Sequence, residues 1–219
     1  MTDIKICGIR DYDSALVAKQ HGASYLGFVF HEASPRYIEP TEVSKIIKSL
    51  KHCSTGSSKY VGLFVDKSVK EVISIGHECD LDIIQLSGSE PPEFCDMIPF
   101  PVFKVIHVKP SDLLKDIEQA MDIYLNHVTE VILDNGGTSL QGGTGQAFNW
   151  NIAKQLSEKG HNFILAGGIN ITNIAQAIKD VNPMCLDISS GVETEGVKDH
   201  NKIMELLNLT KSVQKQYED

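Results

Sequence analysis

The sequence predicts an α/β fold in which eight parallel strands, each followed by a helix, close into a single-domain (β/α)8 TIM barrel. Its apolar runs are short and lack polar alternation, which indicates strands buried on both faces. Segments with apolar residues at helical spacing separate these runs. The alternation continues along 219 residues without a break in composition, which favours one closed barrel over an open sheet.

The predicted strands share an apolar run of a few residues that stops at glycine or at a polar residue. They are Ile4–Gly8, Tyr25–Phe30, Tyr60–Val65, Ile83–Leu86, Val102–Val108, Glu130–Leu133, Phe163–Ala166 and Leu186–Ser189. The first strand is not followed by a glycine-rich dinucleotide turn, which weakens the open, doubly wound alternative.

The predicted helices follow these strands, and we expect Asn170 or Thr172 to cap the helix after the seventh strand. We expect the barrel domain to cover residues 1–209 and a polar C-terminal tail, residues 210–219, to fray. The helices are Asp11–Gly22, Pro40–Leu50, Ser68–Glu78, Glu90–Met97, Ser111–Tyr124, Asn149–Lys159, a helix containing Ile171, Ile174, Ala175 and Ile178, and Asp199–Leu209.

Composition and charge exclude several function classes. The formal charge of −9 and the pI near 5.3 argue against general affinity for nucleic acid or an anionic membrane. No apolar run approaches the ~20 residues of a membrane helix, and the N-terminus enters a strand at once, so we expect no signal peptide. The five cysteines form no Cys-x-x-Cys pair, which favours free thiols in a reducing cytoplasm.

The turns after the last two strands predict a phosphate site. Gly167 and Gly168 end the seventh strand, and Ser190 and Gly191 follow the eighth. Glycines let a ligand approach the backbone, and amide groups at loop and helix starts favour an anion. In a (β/α)8 barrel, the loops after strands seven and eight form such a cup. The alternative is two ordinary strand-to-helix turns.

Polar residues at the carboxyl ends of the strands are the candidates for chemistry, because barrel active sites lie there. Cys7 and Asp134 end strands nearly opposite each other, and one proton acceptor with one donor suits an isomerisation that moves a proton between carbons. Cys7 could instead be a small buried apolar residue, Asp134 a loop-capping aspartate, and Arg36 a surface arginine. The other candidates are Asp66, Ser87, His107, which is more typical of a core or rim histidine, and Asp187.

A long loop after the sixth strand, from Asn135 to Ala147, contains five glycines and is expected to fold over a ligand. It lacks the Gly-Lys-Ser/Thr ending of a nucleotide P-loop, which excludes ATP binding of that kind. The sequence also lacks a Gly-x-Ser-x-Gly nucleophile turn and any convincing metal spacing.

Taken together, the motifs resemble the phosphoribosylanthranilate isomerase family, in that family's order and from residue 5 to about residue 203. Any one piece is weak, but the ordered set is specific. The pieces are Lys5–Ile9, Leu26–Phe30 with Ser34–Tyr37, Val61–Val65, Ile84–Leu86 with Gly88 and Glu90, Leu133–Asp134 with Gly142–Gly145, Leu165–Gly168, Asp187–Glu193 and Gly196–Asp199.

The resemblance implies an Amadori rearrangement in tryptophan biosynthesis, from N-(5-phosphoribosyl)anthranilate to 1-(2-carboxyphenylamino)-1-deoxyribulose 5-phosphate. It implies Asp134 as general acid, Cys7 as general base and Arg36 as partner of the anthranilate carboxylate. It implies no metal or organic cofactor. We expect a small-molecule substrate, no nucleic-acid or membrane partner, and a monomer or homodimer. The other substrate-binding residues it implies are Gly143, Gly167, Gly168, Asp187, Ser189, Ser190 and Gly191.

One motif departs from the family pattern. Ser87 stands where the family usually has histidine, and Ser89 replaces a common aspartate, so any role of that histidine is in doubt. Two other functions stay open. A bi-substrate isomerase that also takes the related histidine-pathway aminoaldose typically has aspartate at the position of Cys7. A protein that binds a phosphorylated ligand without catalysis would not need Cys7, Asp134 and Arg36 together.

Overall fold

The computed structural model describes residues 2–53, 55–135 and 150–215. Eight parallel strands pair in chain order, and the first pairs with the last, so the sheet is a closed barrel. This confirms the predicted (β/α)8 fold. The strands are β1 (Asp3–Cys7), β2 (Tyr25–Val29), β3 (Lys59–Phe64), β4 (Ile83–Leu86), β5 (Val102–Val108), β6 (Glu130–Asn135), β7 (Ile164–Leu165) and β8 (Cys185–Ile188).

The helices that the structure describes surround the barrel, and a large apolar cluster packs them against the outward side chains of the strands. Their bounds agree with those predicted from the sequence, except for differences of a few residues at some helix ends. They are α1 (Tyr12–Gln20), α2 (Pro40–Lys51), α3 (Val69–Glu78), α4 (Pro92–Asp96), α5 (Leu114–Tyr124), α6 (Trp150–Glu158), α7 (Ile174–Val181) and α8 (His200–Lys215). No helix in the described ranges combines the length and apolar character needed to cross a bilayer.

The start of α7 differs from the sequence-based expectation. The residue that caps it is Asn173, so the predicted caps Asn170 and Thr172 were wrong. The Asn170 side-chain oxygen accepts from the backbone N–H of Thr172, and the Asn173 oxygen accepts from the N–H of Asn170. These local side-chain bonds hold a turn before the helix and delay its first residue.

The barrel interior is filled by alternate residues of each strand, because parallel strands in register place paired residues on the same face. A separate apolar cluster occupies this interior, and the outward cluster does not include it. Its members are Val61, Ile83, Phe103, Val105, Ile132, Ile164, Ala166 and Cys185.

A short hairpin follows β8 and was not foreseen from the sequence. Its strands are β9 (Glu193–Thr194) and β10 (Val197–Lys198), which pair antiparallel. Glu195 and Gly196 form the two-residue turn with φ of 52° and 77°, the left-handed geometry that suits a tight hairpin. The hairpin brings both ends, Glu193 and Lys198, back beside the loop after β8.

The last helix continues past residue 209, so the expected fraying was wrong for residues 210–215. The Thr210 side chain is 3 % exposed, and its hydroxyl donates to the Leu206 carbonyl at 2.9 Å. The Gln214 side-chain amide donates to the Thr2 carbonyl at 2.6 Å. Leu209 and Val213 continue the apolar face against the core, which is why the polar composition of this segment was misleading. Residues 216–219 lie outside the described residues.

We expect Thr210→Asp to destabilise the protein by at least about 2 kcal/mol, because it buries a carboxylate without a partner. Thermal unfolding followed by circular dichroism should show a Tm lower by about 4–8 °C for a chain of this size. The matched control is Ser212→Asp, an exposed position on the same helix, which should change stability by less than about 0.5 kcal/mol. Equal Tm values for the two variants would show that α8 is not docked at residue 210.

Candidate active site

The inward side chains at the carboxyl ends of the strands form the candidate site. Cys7 is the last inward residue of β1, and His107 and Asp134, at the carboxyl ends of β5 and β6, are direct partners in the ladder. Ser87 and Ser189 continue the inward rows of β4 and β8. The structure therefore brings Cys7 and Asp134 to the same end of the barrel, with two strands between them on one side.

The Cys7 thiol lies beside a buried ammonium. The Lys5 side chain, one inward position below Cys7, is 0 % exposed, and its Nζ lies 2.8 Å from Asp187 Oδ2. A Cβ built on Gly27 of the adjacent strand would lie 2.9 Å from Cys7 Sγ and 3.1 Å from Lys5 Nζ. The sulfur and the ammonium thus share the space that the missing Gly27 side chain leaves. Burial raises the pKa of the Cys7 thiol, and the positive charge of Lys5 opposes that rise.

Asp187 was predicted to bind substrate, and the structure pairs it with Lys5. The two residues are register partners in the β1–β8 ladder, so Asp187 lies one layer below the mouth. Its side chain is 8 % exposed, and among the residues that the structure describes its Oδ1 has no hydrogen-bond partner. A contact of Asp187 with substrate stays a prediction.

Arg36 is held by the hairpin after β8. Its Nε and Nη2 donate to the two carboxylate oxygens of Glu193, each at 2.7 Å. Lys198 donates to the same carboxylate at 2.6 Å and to the Ser189 carbonyl at 2.9 Å. The Arg36 stem lies against Gly8, where a Cβ would come within 2.5 Å of it. This places the arginine at the mouth next to β1 and β8, with one edge of its guanidinium already used.

Sequence reasoning did not assign roles to Glu193 and Lys198. Both residues were part of the motifs that carried the resemblance, but their pairing with Arg36 depends on the hairpin. Two cations hold the pKa of Glu193 at about 2 against the cost of its burial. Hydrogen bonding to Glu193 raises the pKa of Arg36.

The predicted phosphate loops lie against each other. Gly167 and Gly168 have φ of 90° and 72°, values that favour glycine. The Gly168 carbonyl accepts from the side-chain amides of Asn170 and Asn173 at 3.1 and 2.9 Å. A Cβ on Gly191 would lie 1.9 Å from the Ile169 carbonyl oxygen. Only glycine allows the loop after β8 to pack on the loop after β7 in this way.

Other predicted phosphate ligands belong to these loops or fall outside the described chain. Ser189 and Ser190 lie in the turn directly after β8, and a short 3-10 helix covers Ser190–Val192. Gly143 lies outside the described residues. The loops after β7 and β8 thus contain Gly167, Gly168, Ser189, Ser190 and Gly191, and their contact with phosphate stays a prediction.

The loop after β4 is fixed by a second buried ion pair that sequence reasoning missed. Lys104 Nζ lies 2.7 Å from Glu90 Oε2 and 2.6 Å from the Gly88 carbonyl. Glu90 also accepts from the backbone N–H groups of Asp66 and Gly88. The signal in the sequence was a lysine inside the apolar run of β5.

His107 contacts the same loop, because its Nε2 lies 3.0 Å from the Ser87 carbonyl. The carbonyl can only accept, so Nε2 carries the proton in this contact. His107 is the register partner of Asp134, so the strand end that contacts the loop after β4 lies beside the strand end that carries Asp134.

Comparison with known proteins identifies the family of this chain. Residues 4–209 match the family model described as N-(5'-phosphoribosyl)anthranilate (PRA) isomerase. The chain belongs to this isomerase family. This confirms the family that the sequence motifs indicated. Among the residues that the structure describes, no group of three or more His, Cys, Asp and Glu could hold a metal ion.

Similar proteins named N-(5'-phosphoribosyl)anthranilate isomerase align with this chain over almost their full length. The proteins of that name from Trichlorobacter lovleyi and Pelobacter propionicus are 38% and 40% identical to this chain. Each alignment covers 96% of this chain. The share of the other protein covered is 98% for Trichlorobacter lovleyi and 96% for Pelobacter propionicus. The crystal structure of the Thermotoga maritima isomerase is 32% identical, has a TM-score of 0.83, and is matched over 97% of this chain and 100% of that chain.

One solved isomerase structure contains a ligand. It is a complex of a phosphoribosyl anthranilate isomerase with reduced 1-(o-carboxyphenylamino)-1-deoxyribulose 5-phosphate. That protein is 30% identical to this chain, has a TM-score of 0.80, and is matched over 97% of this chain and 100% of that chain.

We expect the ion pairs of Glu193 to make the isomerase fold sensitive to acid. Because the folded-state pKa of Glu193 is about 2, below the ordinary 4.5, its contribution to stability is complete above pH 4.5. That contribution is lost as the pH falls towards 2. Between pH 6 and pH 3, the stability advantage of the unaltered protein over Glu193→Gln should shrink by about 2 kcal/mol.

Urea unfolding at several pH values measures this difference. The control is Glu205→Gln, which removes an exposed carboxylate from α8. If the unaltered protein and Glu193→Gln lose stability in parallel from pH 6 to pH 3, the Arg36–Glu193–Lys198 cluster does not contribute in the way described.

Proposed function

We propose that this chain converts N-(5'-phosphoribosyl)anthranilate to 1-(2-carboxyphenylamino)-1-deoxyribulose 5-phosphate, with Cys7 as general base and Asp134 as general acid. The observation that supports the pair is their position. Both are inward residues at the carboxyl end of one closed barrel, where a ligand across the mouth reaches both. The family to which the chain belongs gives the reaction.

The first step opens the sugar ring. Asp134 gives its proton to the ring oxygen, the bond from that oxygen to C1 breaks, and the lone pair of the anthranilate nitrogen forms a C1=N double bond. The acid must lie on the ring-oxygen side of the sugar. Asp134 is half-buried at the mouth, where it is shielded from bulk water without being enclosed, which suits a group that exchanges a proton.

The second step moves the proton. The Cys7 thiolate takes the proton from C2, the C–H electron pair forms a C1=C2 double bond, and the C1=N electrons return to nitrogen. The resulting enolamine tautomerises to the ketone as its C2 hydroxyl loses a proton and C1 gains one. No proton or electron is lost overall, so the residues act as an acid and a base and no oxidant is required.

The remaining contacts orient the substrate. We assign the 5'-phosphate to the backbone of the touching loops after β7 and β8, Gly167–Gly168 and Ser189–Gly191, with Gly143 as a further ligand. We assign the anthranilate carboxylate to Arg36. Because Glu193 holds Nε and one side of Nη2, the carboxylate is expected to meet the guanidinium through Nη1 and not through the edge that Glu193 uses. That the protein works as a monomer or a homodimer stays a prediction.

We expect incubation of the purified protein with freshly made phosphoribosylanthranilate to yield the ribulose product. Mass spectrometry identifies the product, and fluorescence follows the loss of the substrate. In heavy water the product should contain one deuterium at C1, because the proton that enters C1 comes from exchangeable groups. Tight binding of substrate with no product formed would favour a binding protein that lacks catalysis.

We also expect Cys7→Ser and Asp134→Asn each to lower kcat by at least ~100-fold, the lower range for a positioned base or acid. The control variants are Cys53→Ser, a cysteine two residues after α2, and Asp96→Asn, an exposed aspartate paired with His127. Both should keep full activity. Activity that survives in Cys7→Ser or Asp134→Asn would remove that residue from the mechanism.

A further inference from the structure

We propose that Lys5 is a positioning residue for proton transfer: its ammonium stabilises the Cys7 thiolate, and Asp187 holds the ammonium in place. The inference rests on the proposed function, in which Cys7 is the base. It adds two residues inside the barrel, below the mouth, to the apparatus of the reaction.

The burial of Lys5 is the first observation. A lysine whose side chain is 0 % exposed loses its hydration, which is costly unless the charge is paired. Asp187 supplies that pairing at 2.8 Å. An apolar residue would fill the interior at less cost, as the neighbouring cluster shows. The position of a charged pair in this layer therefore calls for a reason other than packing.

The geometry at Gly27 supplies the reason. The site of a Cβ on Gly27 is within 3.1 Å of both Cys7 Sγ and Lys5 Nζ, and also of Cys7 Cα. Any larger residue at this position would push the sulfur and the ammonium apart. Glycine on β2 thus leaves the space in which the thiol and the cation lie near each other.

The protonation state of Lys5 defines its role. Burial works to lower the pKa of Lys5, but Asp187 and Cys7 more than offset it and raise the pKa above its ordinary value. The ammonium therefore stays charged throughout the working range of the enzyme. It cannot be the base that takes the C2 proton, and it acts on Cys7 through its charge.

Asp187 is suited to hold Lys5 without removing its effect on the sulfur. One carboxylate oxygen accepts from Lys5, and the other is buried without a hydrogen-bond partner among the described residues. Its negative charge raises the pKa of Cys7 while Lys5 lowers it. Lys5 therefore has two anionic neighbours once the thiol ionises, and it stays paired with Asp187 when Cys7 carries the C2 proton.

Other charged groups face Cys7 from the neighbouring elements. Lys198 on β10 lowers the pKa of Cys7 less than Lys5 does, and Arg36 interacts with Cys7 from the loop after β2. Both cations are paired with Glu193. Among the described residues that face the sulfur, Lys5 is thus the cation with the largest effect on it.

The test uses two variants with opposite expected effects. Lys5→Met removes the cation and keeps the length of the side chain, so the pH midpoint for ionisation of Cys7 should rise by at least about one unit. Asp187→Asn removes the competing anion, so the midpoint should fall. A purely structural pair would not give opposite shifts. Lys19→Met, which removes a buried lysine on α1, should leave the midpoint unchanged.

The readout is the rate at which iodoacetamide alkylates Cys7, measured between pH 6 and pH 11 by mass spectrometry of the Cys7 peptide. Because only the thiolate reacts, this midpoint is independent of catalysis. In parallel, kcat of Lys5→Met at pH 7.5 should fall by at least about tenfold, with KM changed by less than about threefold, and should recover as the pH rises.

The outcomes separate this inference from the proposed function. If Cys7→Ser stays active, the proposed base is wrong, and the alkylation midpoints still report whether Lys5 and Asp187 control the thiol. If the midpoints of folded Lys5→Met and Asp187→Asn equal that of the unaltered protein, the inference is overturned even when Cys7→Ser is inactive.

If Lys5→Met does not fold, the cause is the buried Asp187 carboxylate that the substitution leaves unpaired. The double variant Lys5→Met/Asp187→Leu then replaces the ion pair by apolar side chains, a change that is often neutral or stabilising. It should fold and show a raised Cys7 midpoint, because the cation is the larger of the two opposing influences. An unshifted midpoint in the folded double variant would also overturn the inference.

Discussion

The pairing of β1 with β8 is the constraint on which the site depends. It closes the barrel and sets Lys5 opposite Asp187 and Ile6 opposite Ile188. That register places a buried ammonium and its carboxylate under the Cys7 thiol, and it directs the turn after β8 towards the same mouth. A shift of one residue would move every inward side chain of β8 to the outer face, so barrel closure and site assembly are one event.

The positions of Cys7 and Asp134 could be predicted from the sequence because both are local properties of a strand end. Once eight buried strands are recognised as parallel, the carboxyl ends of all of them meet at one mouth. The Lys5–Asp187 pair was different, because its partners are 182 positions apart. Their contact requires the closing register, which no local pattern contains. Lys104 and Glu90 are only 14 positions apart, but their contact depends on how the loop after β4 lies beside β5, which the sequence pattern does not show.

The surroundings of Arg36 show a second limit of sequence reasoning. Arg36 alone could be a surface arginine, and the resemblance implied the anthranilate carboxylate as its partner. The structure shows that an internal carboxylate, Glu193, already holds one edge of the guanidinium. The hairpin that delivers Glu193 has strands of two residues each, too short to produce a hydrophobic period. The polar composition of residues 210–215 likewise concealed a helix whose buried face is narrow.

A crystal structure of this protein with reduced 1-(2-carboxyphenylamino)-1-deoxyribulose 5-phosphate bound is the most direct test of the central claim, that one sugar lies between Cys7 and Asp134. The account predicts the phosphate between the loops after β7 and β8. It predicts C2 of the ligand within about 3.5 Å of Cys7 Sγ, a distance from which proton transfer is feasible, and the Asp134 carboxyl on the ring-oxygen side. A phosphate bound elsewhere, or a ligand that contacts only one of the two residues, would contradict it.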